Sequence, residues 1–179
     1  MTLLAWHFLP DDGRLRYPHH GKRLKVKPGM KLTIGRGKRP VMWVLGLHAS
    51  IRAIDALYYA DGAQICRVKL GGEIVRERDK CCASSREVLW MADATRTLHE
   101  FACWCEERAL TSERNAGREP DPRSWRAIAV KRAWLDGRAT DAELDAARAA
   151  AWDAAGYAAL DALNKQLETM LGKLETRET

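Results

Sequence analysis

The sequence predicts an α+β protein: a small mixed or antiparallel sheet with one helix, followed by an antiparallel bundle of three to four helices. Three observations carry this expectation. The first ninety residues break short apolar runs with Gly and Pro turn signals. Within them only Ile51 to Tyr58 switches to helical periodicity. From Leu98 onward, apolar residues recur at three- and four-residue spacing between short connections, which suits antiparallel helices.

Taken in order, Leu3 to Leu9 is an apolar strand with Trp6 and Phe8, closed by Pro10 and the Asp12-Gly13 turn. Lys22 to Lys27 alternates Leu24 and Val26 with basic residues and predicts a half-exposed strand with a cationic outer face. Pro28-Gly29 turns the chain into a short strand at Lys31 to Ile34. Gly35, Gly37 and Pro40 mark a loop, and Val41 to Leu45 reads as a buried strand. Ser50 is expected to cap a helix through Ile51, Ile54, Ala56, Leu57 and Tyr58, ending at Asp61-Gly62. Gln64 to Leu70 alternates again, Gly71-Gly72 leads into Glu73 to Arg76, and Arg86 to Trp90 is the last strand.

In the second half, Leu98, Phe101, Ala102, Cys105 and Ala109 form a helical stripe. Asn115, Gly117 and Pro120 mark a loop. Asp121-Pro122 pairs a capping carboxylate with proline at the first helical position, and that helix ends at Gly137. Thr140-x-x-Glu143 is a capping box opening a long helix through Leu144, Ala147, Ala151, Ala155, Ala159, Leu163, Leu167 and Met170. Residues 1–91 and 92–175 are thus expected as two units, with a frayed tail at 176–179. The boundary lacks a flexible linker, so the units are expected to pack together.

The chain has 179 residues, 46% hydrophobic and 30% charged, which is enough for a core and argues against wholesale disorder. No apolar run approaches the roughly 20 residues that span a bilayer. The opening MTLLAWHFLPDDG has no basic leader and does not read as a secretory signal. Five cysteines, an odd number, suggest reduced thiols and a cytoplasmic setting, not a disulfide framework. The net charge of +6 is unevenly spread. Met1 to Met91 holds 17 Lys and Arg against 8 Asp and Glu, whereas Ala92 to Thr179 holds 13 against 16. Between Gly13 and Arg39 there are ten basic side chains and no acidic one.

That stretch supplies the candidate binding residues Arg14, Arg16, Lys22, Arg23, Lys25, Lys27, Arg36, Lys38 and Arg39, interspersed with Tyr17, His19 and His20. Clustered cations neutralise phosphates and an aromatic ring stacks on a base, although such runs also serve as plain solvated faces. The candidate catalytic residues are His7, His48 and Ser50. His48 and Ser50 lie in Gly46-Leu47-His48-Ala49-Ser50, at a strand-to-helix junction that could meet an anion; the alternative is a structural histidine and a capping serine. His7 gains weight only if its strand neighbours that of His48. Glu73, Asp79 and Lys80 could assist acid–base work or simply form a solvated turn. No metal site or cofactor is expected: the cysteines include no C-x-x-C pair, and no phosphate-loop or dinucleotide fingerprint occurs. Most of the seven tryptophans are expected in the core, with Trp134 placed to meet the other half.

The run GLHASIRAIDALYYADGAQICRVKLGGEIVRERDKCCASSREVLW resembles an uncharacterised domain of bacteriophage and prophage proteins. The likeness rests on Gly46 to Ser50, Asp55 to Tyr59, Cys66 to Leu70, Gly72 to Ile74, Asp79-Lys80, Arg86 to Trp90 and the earlier Trp6-His7-Phe8, and covers residues 3–91. It implies a phage-encoded protein of an infected bacterium but no activity. A cysteine common before the Gly-Leu-His turn in such proteins is replaced here by Met42-Trp43-Val44-Leu45. The helical half is similar to segments of bacterial immunity-like proteins. Gly46 to Ser50 followed by Tyr59-Ala60 is similar to the order in ADP-ribosyltransferase-type folds, with Glu73 too early, and Glu87 a candidate, for their late glutamate.

Three functional expectations follow. The leading one is an accessory protein of anti-defence type that binds a host or defence-system protein or ribonucleoprotein through its basic half. The others are an ADP-ribosyltransferase-like or other nucleotide-binding enzyme, and a direct nucleic-acid binder.

Overall fold

The computed structural model describes residues 2–17, 19, 21–117, 119–120, 122–139 and 157–175. The chain divides into two compact units, Met1–Ala94 with Leu171–Thr179, and Thr95–Met170. The fold is α+β: an antiparallel sheet with a helix, followed by a bundle of several helices.

The first unit holds β1 (Leu3–Leu9), β2 (Lys31–Thr33), β3 (Leu47–Ala49), α1 (Ala53–Tyr58), β4 (Gln64–Arg76) and β5 (Cys81–Asp93). The two long strands β4 and β5 form a hairpin, with β1 on the outer edge of β4. The free edge of β5 is shared. Residues Ser85–Glu87 pair with β2, and Cys81–Ala83 pair with β3. Just beyond β3, the Ser50 N–H donates to the Trp6 carbonyl at 2.9 Å and the Trp6 N–H donates back at 2.7 Å. The ladder therefore runs β1–β4–β5–β3 and returns to β1.

Such closure needs bent strands, and β4 supplies the bends through irregularities at Arg67/Val68 and Gly71/Ile74. Gly72, at φ +73°, makes the second one possible, because a Cβ there would collide with the Ser84 side chain. The Ser84 hydroxyl instead accepts the Glu73 N–H at 3.0 Å, satisfying a group the bulge unpairs. Inside lie Ala5, Leu9, Cys66, Val68, Leu70 and Val88, joined by Leu15, Val26, Leu32 and Leu47. Trp6 packs edge-on against Trp90 at 5.9 Å, with the Arg67 guanidinium over its ring at 4.4 Å.

Three local expectations are corrected. Lys22–Lys27 is not a strand but half of an irregular arm, tied to the chain before it by isolated bridges at Arg14–Lys25 and His19–Lys22. Leu15 and Val26 are buried and anchor the arm, so the alternation reflects burial without a ladder. Val41–Leu45 is not a buried strand. It is one tight turn, in which Val41 and Leu45 exchange backbone hydrogen bonds of 2.7 and 2.9 Å and leave Val41, Trp43 and Val44 exposed. Ser50 does not cap α1, whose N-cap is Arg52 with no side-chain cap bond, because the backbone of Ser50 is committed to Trp6.

In the helical unit, α2 (Thr95–Asn115) and α3 (Pro122–Leu135) are joined by Arg132–Glu107 at 2.7 Å, and Arg96 donates to the Leu135 carbonyl at 2.7 Å. Trp134 meets His99 edge-on at 4.8 Å. The last helix is α4 (Tyr157–Glu175). The expected caps at Asp121 and Thr140/Glu143, and the stretch from Leu144 through Ala155, lie outside the described residues. Among the described residues, no helix is long and apolar enough to cross a membrane.

All five cysteines carry free thiols. Cys81 and Cys82, adjacent in β5, point to opposite faces.

Leu70 and Leu4 lie on neighbouring strands, one wholly buried and one exposed. Leu70→Ala is expected to cost about 2–5 kcal/mol. Leu4→Ala is expected to cost less than about 0.5 kcal/mol. Urea unfolding of the two variants measures the contrast.

Candidate functional site

The nine basic residues singled out in the sequence are all exposed. Five of them hold the arm and its surroundings together. Arg14 donates to the Arg23 carbonyl at 2.9 Å, Arg23 pairs with Asp12 at 3.2 Å, and the Lys25 ammonium donates to the Asp12 carbonyl at 2.7 Å. Arg16 pairs with Asp61 at 2.8 Å, and Arg39 lies 3.9 Å from Glu73. The side chains of Lys22, Lys27, Arg36 and Lys38 have no hydrogen bond or ion pair with any described residue. His19 sits at the tip of the arm, facing Lys22 in an isolated bridge, whereas His20 lies outside the described residues.

A second cluster forms where the ladder closes. The Trp6–Ser50 link brings β1 alongside β3, so His7 and His48 come within electrostatic reach of each other. Arg86, only 4% exposed, reaches from β5 to donate to the His48 carbonyl at 2.8 Å. Its Nε is buried without a hydrogen-bond partner among the described residues. Burial, only slightly offset by Cys66, pulls its pKa down to about 10. Burial also holds His7 well below the ordinary histidine value, with Arg86, His48 and Lys80 adding to the effect. His48 is lowered for the same first reason, then by Lys80 and Arg86, against a hydrogen bond with the Gly46 backbone that raises it. Both imidazoles are therefore neutral at pH 7, and the His48 Nε2 accepts the Trp43 N–H at 3.2 Å. Ser50 is buried beside them.

Three members of this cluster, Trp43, Tyr59 and Arg86, are not singled out for it in the sequence, and Lys80 reads there only as an acid–base or solvated-turn residue. Trp43, expected in the core, stands 60% exposed at φ +65°, the only non-glycine residue with positive φ among the described residues. The Lys80 ammonium lies 3.9 Å from the Trp43 ring centre and 3.5 Å from that of Tyr59. Burial lowers its pKa, Asp79 opposes this, and the charge of Arg16 adds to it. The Tyr59 hydroxyl donates to Asp79 at 2.6 Å, and burial, followed by that bond, pushes its pKa up to about 12. Asp79-Lys80 is thus part of a structured corner, not a freely solvated turn. Gly46 makes the corner possible, since a Cβ there would collide with the Cys82 sulfur.

The carboxylates do not join the histidines. Glu73 is exposed beside Arg39, and Glu87 is held by Lys69 at 3.0 Å and Lys31 at 3.6 Å. Among the described residues, no group of three or more His, Cys, Asp or Glu side chains is placed to hold a metal ion. No known protein family, characterised protein or solved structure matches this chain at a significant level.

The depressed histidines set a pH dependence. Below the ordinary value of 6.5, the unfolded chain takes up protons that folded His7 and His48 resist. Their contribution to stability is therefore complete above about pH 6.5 and is lost as pH falls below it. Melting temperatures measured between pH 7.5 and 5 are expected to drop, and His7→Gln is expected to flatten that drop.

Proposed function

We propose that this chain acts by binding an anionic macromolecule through the cationic face of its first unit. One observation carries the reading: ten exposed basic side chains lie between Arg14 and Arg39, four of them without a described partner that would compete for them. Free cations are what a polyanion recruits, since each contact releases a condensed counterion. The resemblance of residues 3–91 to a phage and prophage domain supports reading that partner as a host or defence macromolecule of an infected bacterium. Lys22, Lys27, Arg36 and Lys38 give the direct test, because changing them breaks no described contact. Reversing all four to Glu is expected to weaken capture of the partner from bacterial lysate. For a nucleic-acid partner, the plot of log affinity against log salt should flatten by about 4. Unchanged capture and unchanged salt dependence would overturn the reading.

A second reading, a nucleotide-binding enzyme, is favoured by the convergence of His7, His48, Lys80 and the buried Arg86, a cationic group with an orphaned donor. The Nε2 of His48 is already occupied by Trp43, and Glu87 is engaged by two lysines, so its acid–base machinery is thin. Incubation with a labelled nicotinamide dinucleotide is the check. Turnover abolished by His7→Ala would establish this reading, and no turnover would end it.

A further inference from the structure

We propose that the macromolecule bound by the cationic face is single-stranded nucleic acid, with bases stacking on the rings of Trp43 and Tyr58. This inference rests on the binding role proposed above and names its partner.

The aromatic residues exposed on the first unit are Trp43, Tyr58 and Tyr17, the last two 66% and 71% exposed. Two of them, Trp43 and Tyr17, carry a cation against the ring. Trp43 follows Arg36, Lys38 and Arg39 by a few residues and has the Lys80 ammonium against its ring. Tyr59 links the two larger platforms, with its ring 5.8 Å from Trp43 and 5.1 Å from Tyr58. The Arg16 guanidinium lies over Tyr17 at 5.2 Å, and its charge is felt at Lys80. Trp43, Tyr59 and Tyr58 are thus joined with Lys80, and Tyr17 with Arg16, a grouping of rings and cations of the kind that stacks bases beside a phosphate backbone.

The setting of Trp43 points the same way. A left-handed backbone is costly for a bulky residue and persists only where its surroundings enforce it. Here the enforcement is explicit. Val41 and Leu45 pin the turn, and His48 accepts the Trp43 N–H. The result is an indole held 60% exposed, with the Lys80 ammonium against one face. A duplex presents phosphates but hides its base faces, so it could use the lysines and arginines but not the rings. An acidic protein surface likewise offers charge without flat π-faces. Unpaired bases use both.

Fluorescence anisotropy with the full chain tests this, using labelled 15-nucleotide oligothymidylate and oligouridylate and a duplex of equal length at several salt concentrations. The single strands are expected to bind more tightly than the duplex. Trp43→Ala and Tyr58→Ala should each weaken single-strand binding by about tenfold, within the range for losing one stacked base, and leave the salt slope unchanged. Trp43→Phe, which keeps a ring, should restore most of the loss, and its thermal melt controls for the turn. Tyr58→Ala tests the platform independently of the strained turn. Equal or tighter duplex binding, or ring variants that bind single strands as the parent does, would overturn the inference. So would absence of nucleic-acid binding at low salt. That last outcome still leaves the cationic face for an acidic protein, which fails separately, only if the Lys22, Lys27, Arg36 and Lys38 reversal leaves lysate capture unchanged.

Discussion

Two backbone hydrogen bonds between Trp6 and Ser50 organise much of the first unit. Without them the sheet is an open hairpin with β1 on one edge and β2 and β3 on the other. With them the edges meet, and an exposed row of N–H and C=O groups is shortened. The consequences are local and specific. Ser50 is withdrawn from helix capping, α1 begins at Ala53, and His48 is brought within the influence of His7 and Arg86. β3 has only three residues, held besides by their pairing with Cys81–Ala83 and by Arg86 on the His48 carbonyl. The segment before it must then turn sharply, and Gly46 and the Val41–Leu45 turn provide that geometry.

Charge in this unit is divided between scaffolding and display. Asp12 gathers Arg23 and Lys25, and Asp61 gathers Arg16, so the arm is tied by groups that a net charge counts as equal to the rest. Exposed pairs of this kind contribute little stability each. Their effect is to fix where the uncommitted cations stand. Arg86 and Lys80 are different in kind. Arg86 is buried without a described carboxylate partner, and Lys80 is held by ring faces beside an aspartate already bound to Tyr59. The interior corner is accordingly positive.

Long-period features were legible in the sequence. The strand β1, the helix start at Pro122 and the basic stretch follow from residue type and local spacing, and the α+β order follows from where the period changes. What escaped depends on contacts distant in sequence. Val41–Leu45 is as apolar as a buried strand, and nothing within it announces that His48 will accept the Trp43 N–H and hold the turn outward. Ser50 looks like a cap until Trp6, forty-four residues earlier, claims its backbone. Lys80 reads as a surface charge because the rings that receive it, Trp43 and Tyr59, come from other elements. The alternation in Lys22–Lys27 was real as a burial pattern, with Val26 inside, but two isolated bridges do not make a strand.

The thiols have a practical consequence. Cys66 and Cys105 are pushed up to about 12, and Cys81, Cys82 and Cys103 are raised as well, in each case first by burial. Since the thiolate is the reactive form, all five stay protonated at neutral pH and react sluggishly with electrophiles. A single cysteine introduced on the exposed, Lys- and Arg-rich arm would ionise far more readily than these and stand open to reagent. The natural chain is therefore a usable background for site-specific labelling, with its own sulfurs left in place to fill the core.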